Sequence, residues 1–173
     1  MSQQLSLLGN DENGGATFDA TRQYRYRLWR VWDLKRPTCA FVMLNPSTAD
    51  EHVLDPTLRR CVDFARRWGC GRLEVGNIFA WRSTDPAELY KVTDPIGDKN
   101  DAFLQGIMRG ARIVVAAWGK HGDHMQRGGH VFAMAQSMGI KLKCLGTNED
   151  LSPKHPLYIA AETPLQELRG LIV

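Results

Sequence analysis

The stretch "ARIVVAAWG", residues 111–119, decides the fold. Its apolar run is continuous rather than alternating, and it stops at a glycine. Alternation marks a strand with one wet face, whereas an unbroken run fits a strand covered on both faces, as in a parallel sheet flanked by helices. "CAFVML", 39–44, "RLEVGNIFA", 72–80, and "IKLKCLG", 140–146, read as further strands. Helix signals lie between them. Asp55 is placed as an N-cap with Pro56 at the first helical position, where its missing N–H costs nothing. Leu58, Cys61, Val62, Ala65 and Trp68 follow at helical spacing and Gly69 ends the helix, with Arg59, Arg60, Arg66 and Arg67 outside. Asp85-Pro86 repeats that start, Phe103, Leu104, Ile107 and Met108 mark another helix, and Val131, Met134, Ala135 and Met138 a further one. The alternation predicts a three-layer α/β/α sandwich with a mostly parallel central sheet.

Outward from this centre, "YRYRLWRVW", 24–32, begins with alternating aromatic and arginine residues and predicts an N-terminal strand packed at the sheet edge. Residues 1–17 are polar and glycine-containing and are expected as a flexible arm, leaving 18–173 as a single α/β domain. At 173 residues the chain suffices for one well-cored domain. Its 43% hydrophobic and 24% charged residues are an ordinary globular balance. No stretch reaches the length of a membrane span and the N-terminus lacks a signal-like apolar region, so a cytoplasmic protein without membrane contact is expected. Cys39, Cys61, Cys70 and Cys144 show no paired spacing; the first, second and fourth fit core positions, and Cys70 has no evident place.

The net charge of +3 is too small to signal nucleic-acid binding, but arginines crowd the N-terminal half. Such clustering fits phosphate contacts and a solvated face equally. If phosphates are bound, Arg25, Arg27, Arg59 and Arg60 are the candidates.

In an α/β sheet of this kind, ligands gather at the carboxyl ends of the strands. Those ends carry Asn45-Pro46-Ser47-Thr48, then Gly76-Asn77, then Trp118-Gly119, and lastly His155-Pro156. In this order they resemble the uracil-DNA glycosylase superfamily, with its asparagine- or aspartate-proline loop, second-strand asparagine, third-strand glycine and histidine-proline loop. "YRYRLWR", "MLNPSTAD", "DPTLRRC", "NIFAWRSTDP", "AAWG" and "KHPLYI" together resemble the bacterial and phage family called domain of unknown function 1643, over about Tyr24 to Leu168. That family brings no activity with it.

The glycosylase resemblance implies a uracil-DNA-glycosylase-like fold and a hydrolase acting at an N-glycosidic bond of DNA or a nucleotide, needing no metal or cofactor. Such hydrolysis needs a placed water, stabilisation of an oxocarbenium-like sugar, and a donor to the departing base. Asn45 resembles the residue that positions water, and His155 the donor to the base. Asn77 would read a base edge, having both a donor and an acceptor. Pro46, Ser47, Thr48 and Gly119 would shape the base site, with Trp81 as a stacking platform and Arg82 beside it. Met43 stands where the glycosylases usually have glycine, Ser47 replaces a second glycine, and Leu157 follows His-Pro in place of serine. These departures reshape the base pocket.

Plainer readings accompany each of these residues. Asn45 to Thr48 are common turn formers, Asp55 and Asp85 are helix caps, and Arg82 has Asp85 near it in sequence. Two other functions stand beside hydrolysis. The first is a nucleotide- or nucleic-acid-binding protein that keeps the scaffold without the chemistry, as Met43 suggests. The second is a metal-dependent hydrolase using His121, Asp123 and His124, although the glycines in that stretch favour a loop.

Overall fold

The computed structural model describes residues 13–48 and 55–170. Seven strands form one sheet: β1 (Gly14–Phe18), β2 (Arg25–Val31), β3 (Thr38–Met43), β4 (Arg72–Asn77), β5 (Ile113–Ala116), β6 (Lys143–Cys144) and β7 (Gln166–Glu167). Their spatial order is β1-β2-β4-β3-β5-β6-β7. The helices are α1 (Pro56–Arg67), α2 (Asn100–Arg109) and α3 (Arg127–Ser137).

The continuous apolar runs build the middle of the sheet. β4, β3, β5 and β6 run parallel, and successive residues supply opposite faces. Cys39, Phe41 and Val115 join the α1 side with Leu58, Cys61 and Val62. Ala40, Val42, Val114 and Ala116 join the other side with Leu104 and Met108 of α2 and Val131 and Ala135 of α3. Helices therefore cover both faces. Asp55 caps α1 by accepting from Leu58 N at 2.7 Å, an interaction worth about 1 kcal/mol. Arg66 and Arg67 lie in the last turn, where positive charge suits the helix dipole.

Outside the centre the sheet is mixed rather than mostly parallel. β1–β2, β2–β4 and β6–β7 pair antiparallel. The strand from "YRYRLWRVW" is not the edge, because β1 pairs along its outer side. Residues 14–17, expected within a flexible arm, are the first four residues of β1; residues 1–12 lie outside the described ones. β1 contains two glycines, which hides its strand character, and Gly15 is where the Trp29 ring packs. The segment after Asp85 is a five-residue 3-10 turn, Pro86–Tyr90, rather than an α-helix. The strand expected over 140–146 pairs only at Lys143–Cys144.

β2 carries a bulge. Thr17 faces Arg27 but Phe18 faces Arg25, so Tyr26 is an extra residue on β2. Tyr26 stacks on Phe103 of α2 at 5.1 Å, and Arg27 lies on that same side. Arg25 is thereby turned to the side of Leu28, toward the ends of β3 and β4.

All four cysteines are buried free thiols. Cys70 packs beside Cys39, whose thiol is held well above a free thiol's pKa by its hydrogen bond with Cys70 and by burial. Among the described residues no helix is long and apolar enough to cross a membrane.

Candidate functional site

A cleft of about 380 Å3 opens where β3, β4 and β5 end, and the loop carrying His155 forms one wall. Asn45, Ser47, Asn77, Gly119 and His155 all line it, together with Arg25, Met43, Asp55, Trp118 and His121. Its volume lies within the range of small-molecule sites, roughly 300–1,000 Å3.

Backbone hydrogen bonds zip the strand ends into one rim. Ile78 N donates to Met43 O and Phe79 N to Leu44 O, both at 2.9 Å, and Ala117 N donates to Val42 O at 2.8 Å. Beyond the β3 end, Ser83 N donates to Pro46 O at 2.9 Å. The Asn45 amide adds to this seam, with Nδ2 donating to Ser83 O at 2.9 Å and Pro46 O at 3.2 Å. Both donors of that amide are thus engaged, which fixes its plane and leaves Oδ1 as an acceptor. Thr48 meets Thr84 hydroxyl to hydroxyl at 2.7 Å.

Asn77 behaves differently. It is 2% exposed, it lines the cleft, and its side chain makes no hydrogen bond to any described residue. Its amide atoms open onto the cleft rather than being sealed from solvent, so they are available to a ligand. Its backbone, by contrast, is held firmly. Asn100, at the start of α2, donates from Nδ2 to Asn77 O at 2.9 Å and Ile78 O at 3.1 Å. Arg127, 3% exposed, donates from Nε to Ile78 O at 2.7 Å and pairs with Asp101. Sequence reasoning missed both of these positioning residues; neither sits at a strand end, and their partners lie 22 to 49 residues away.

Gly119 adopts φ +70°, a conformation that favours glycine, and its N–H donates to Pro153 O at 2.9 Å. Lys154 N donates to Gly146 O at 3.0 Å, so the His155 loop is tied to the ends of β5 and β6. His155 precedes a single 3-10 turn, and its Nδ1 accepts from Leu157 N at 3.3 Å. In the neutral ring the proton must then reside on Nε2, which makes that nitrogen a donor. His155 counts as exposed overall, yet burial around the ring lowers its pKa below 6.5, while the Asp55 carboxylate pulls the other way.

The remaining candidates are scattered. Of the four arginines considered for phosphate, Arg25 lines the cleft. Arg27 is on the opposite side of the sheet, bound through two hydrogen bonds to Glu74 at 2.7 and 2.6 Å. Arg59 is exposed on α1, and Arg60 donates to Ile159 O and lies over the Phe64 ring. Trp81 packs edge-on against Tyr24 at 5.3 Å, outside the cleft lining. Arg82 ties two loops together, donating to Arg22 O at 2.9 Å and Thr48 O at 3.3 Å.

His121, Asp123 and His124 do not converge. His121 Nδ1 is 3.0 Å from the Tyr90 hydroxyl, His124 stacks on the Tyr90 ring at 4.2 Å, and Asp123 lines a neighbouring cavity. Among the described residues no group of three His, Cys, Asp or Glu side chains could hold a metal ion. Asp55, Ser83 and His121 join the cleft lining without having been singled out as substrate residues. Asp55 was legible only as a cap, because the helix signal and the site coincide on one side chain.

The family model described as "Protein of unknown function (DUF1643)" matches residues 25–157. No curated protein and no solved structure matches the chain. The matched segment begins at Arg25 and ends just beyond His155, enclosing every residue of the cleft lining named above. The chain belongs to this family.

Proposed function

We propose that this protein recognises a nucleobase and hydrolyses its N-glycosidic bond, in DNA or in a nucleotide, on a uracil-DNA-glycosylase-like scaffold. The observation that carries the reading is the meeting of Asn45, Asn77, Gly119 and His155 around one cleft, with the Asn77 amide making no hydrogen bond to any described residue. A base edge offers a donor and an acceptor to which this amide is complementary.

The geometry is consistent with the other roles in this reading. Asn45 presents an acceptor on a fixed amide, suited to orienting a water against the anomeric carbon. His155 presents Nε2–H, suited to the negative charge that develops on the leaving base, and a neutral ring suffices for this. Arg25 supplies positive charge at the cleft wall for a phosphate. A base embedded in duplex DNA would have to be flipped out to enter.

One observation favours binding without turnover. The Met43 side chain lines the cleft, and its bulk narrows the approach of a base to the β3 backbone. Single-turnover incubation with single-stranded and duplex DNA carrying uracil or hypoxanthine, and with the matching nucleotides, separates the two. Hydrolysis predicts abasic product that persists in EDTA and is lost in Asn45→Ala. Bound ligand with no product from any of these substrates would overturn it in favour of the binding protein.

A further inference from the structure

Hydrolysis by water releases a proton, and the amide of Asn45 has no basic site to take it. Among the described residues lining the cleft, Asp55 is the one carboxylate. Its Oδ1 accepts from Leu58 N at 2.7 Å, which locks the side chain at the start of α1, and its Oδ2 makes no hydrogen bond to any described residue. We propose that Asp55 is the general base of this site, so that one side chain both caps α1 and activates the water that Asn45 orients.

This assignment rests on the hydrolase reading above. In the step, the water oxygen forms a bond to C1′ of the sugar while the C1′–N bond breaks. The bonding pair departs on the base, where His155 Nε2–H donates a hydrogen bond to it. The proton of the attacking water passes to Asp55, and from there it returns to solvent or to the departed base. Atoms and charge balance with water as the only co-reactant. Asp55 and His155 both line this cleft, and the Asp55 carboxylate raises the pKa of the His155 ring.

Asp55→Asn is the decisive variant. Asparagine is as good an N-cap as aspartate, so α1 and the melting temperature are retained while the base is removed. The single-turnover rate is expected to fall between about 10²- and 10⁴-fold, the range of general-base contributions, with the affinity for uracil-containing single-stranded DNA unchanged. Added formate should restore part of the rate, as it does where a missing carboxylate served as a base. If the wild-type protein forms abasic sites and Asp55→Asn does so equally fast, Asp55 is only a cap and the proposal fails while the hydrolase reading stands. If the wild-type protein forms none from any substrate, the hydrolase reading fails and takes this assignment with it.

Discussion

Two of the molecule's cavities, the groove against α2 and the cleft at the strand ends, differ in what their charged and polar groups have left to do. In the groove against α2, of about 550 Å3, Arg27 and Arg72 both engage Glu74, at 2.6 to 2.9 Å through the Arg27 hydrogen bonds and the Arg72 Nε bond. Every charge there has a partner within the fold. In the cleft at the strand ends, the Asn77 amide has none among the described residues, Asn45 has spent its donors but not its acceptor, and Asp55 and His155 have each spent one atom on a helix cap. The groove holds the more conspicuous charges, yet the cleft holds the open valences. Recognition and chemistry need polar atoms that folding has positioned but not satisfied.

The sharpest break of this comparison is at Glu74, whose side chain is 7% exposed. Replacing it by glutamine leaves two arginines facing each other across a partly buried groove. Both are about a third exposed, so solvent screening moderates the repulsion. Glu74→Gln should lower the unfolding free energy by about 2 kcal/mol, read from urea denaturation, and leave affinity for uracil-containing single-stranded DNA within about twofold. A large loss of affinity at unchanged stability would make the groove, not the cleft, the ligand site.

Asn77→Ala is the mirror experiment. It removes a buried amide that the fold does not use, so stability should change by less than about 1 kcal/mol, in either direction. Affinity for the same DNA should fall about tenfold by fluorescence anisotropy, because a base edge loses its partner. If stability falls steeply instead, the amide has a structural partner and the contrast between the two cavities weakens.

What the sequence revealed follows the same division. The apolar runs ending at Leu44 and Gly119 were legible because a strand covered on both faces is apolar throughout, and the residue at which polarity resumes marks its end. His155 was legible as a histidine on a loop after the strand read over 140–146, although β7 follows it in the structure. The outer sheet was not. β1 is glycine-rich, β7 has two paired residues, and the bulge at Tyr26 breaks the alternation on which the face of each β2 arginine was judged. Arg25 and Arg27, two positions apart, would share a face in a regular strand; the bulge sends one to the cleft and the other to Glu74, 47 residues away. Trp81 and Arg82 show a related limit, since their partners Tyr24 and Arg22 come from the distant start of β2 and the turn before it.

The smallest expected effect concerns His155, and it tests whether the cleft is responsive where the groove is locked. Burial lowers the pKa of this ring below 6.5, and the Asp55 carboxylate opposes that shift. Between the lowered value and about 6.5 the unfolded chain binds more protons than the folded one, so stability falls as pH drops through that window. Above the window the residue contributes nothing, and below it the penalty is complete. His155→Gln should therefore flatten the pH dependence of the unfolding free energy over this interval alone. The ring signals of His155 followed by NMR should titrate below 6.5, and further below in Asp55→Asn, where the opposing charge is gone. A titration at or above 6.5, indifferent to Asp55, would mean that the two walls of the cleft do not sense each other. Protonation also places a hydrogen on Nδ1, where Leu157 N now donates, so the acid form loses this cap. In the proposed hydrolysis, a ring whose surroundings favour its neutral form would offer its donor to the leaving base near neutral pH and lose its cap in acid.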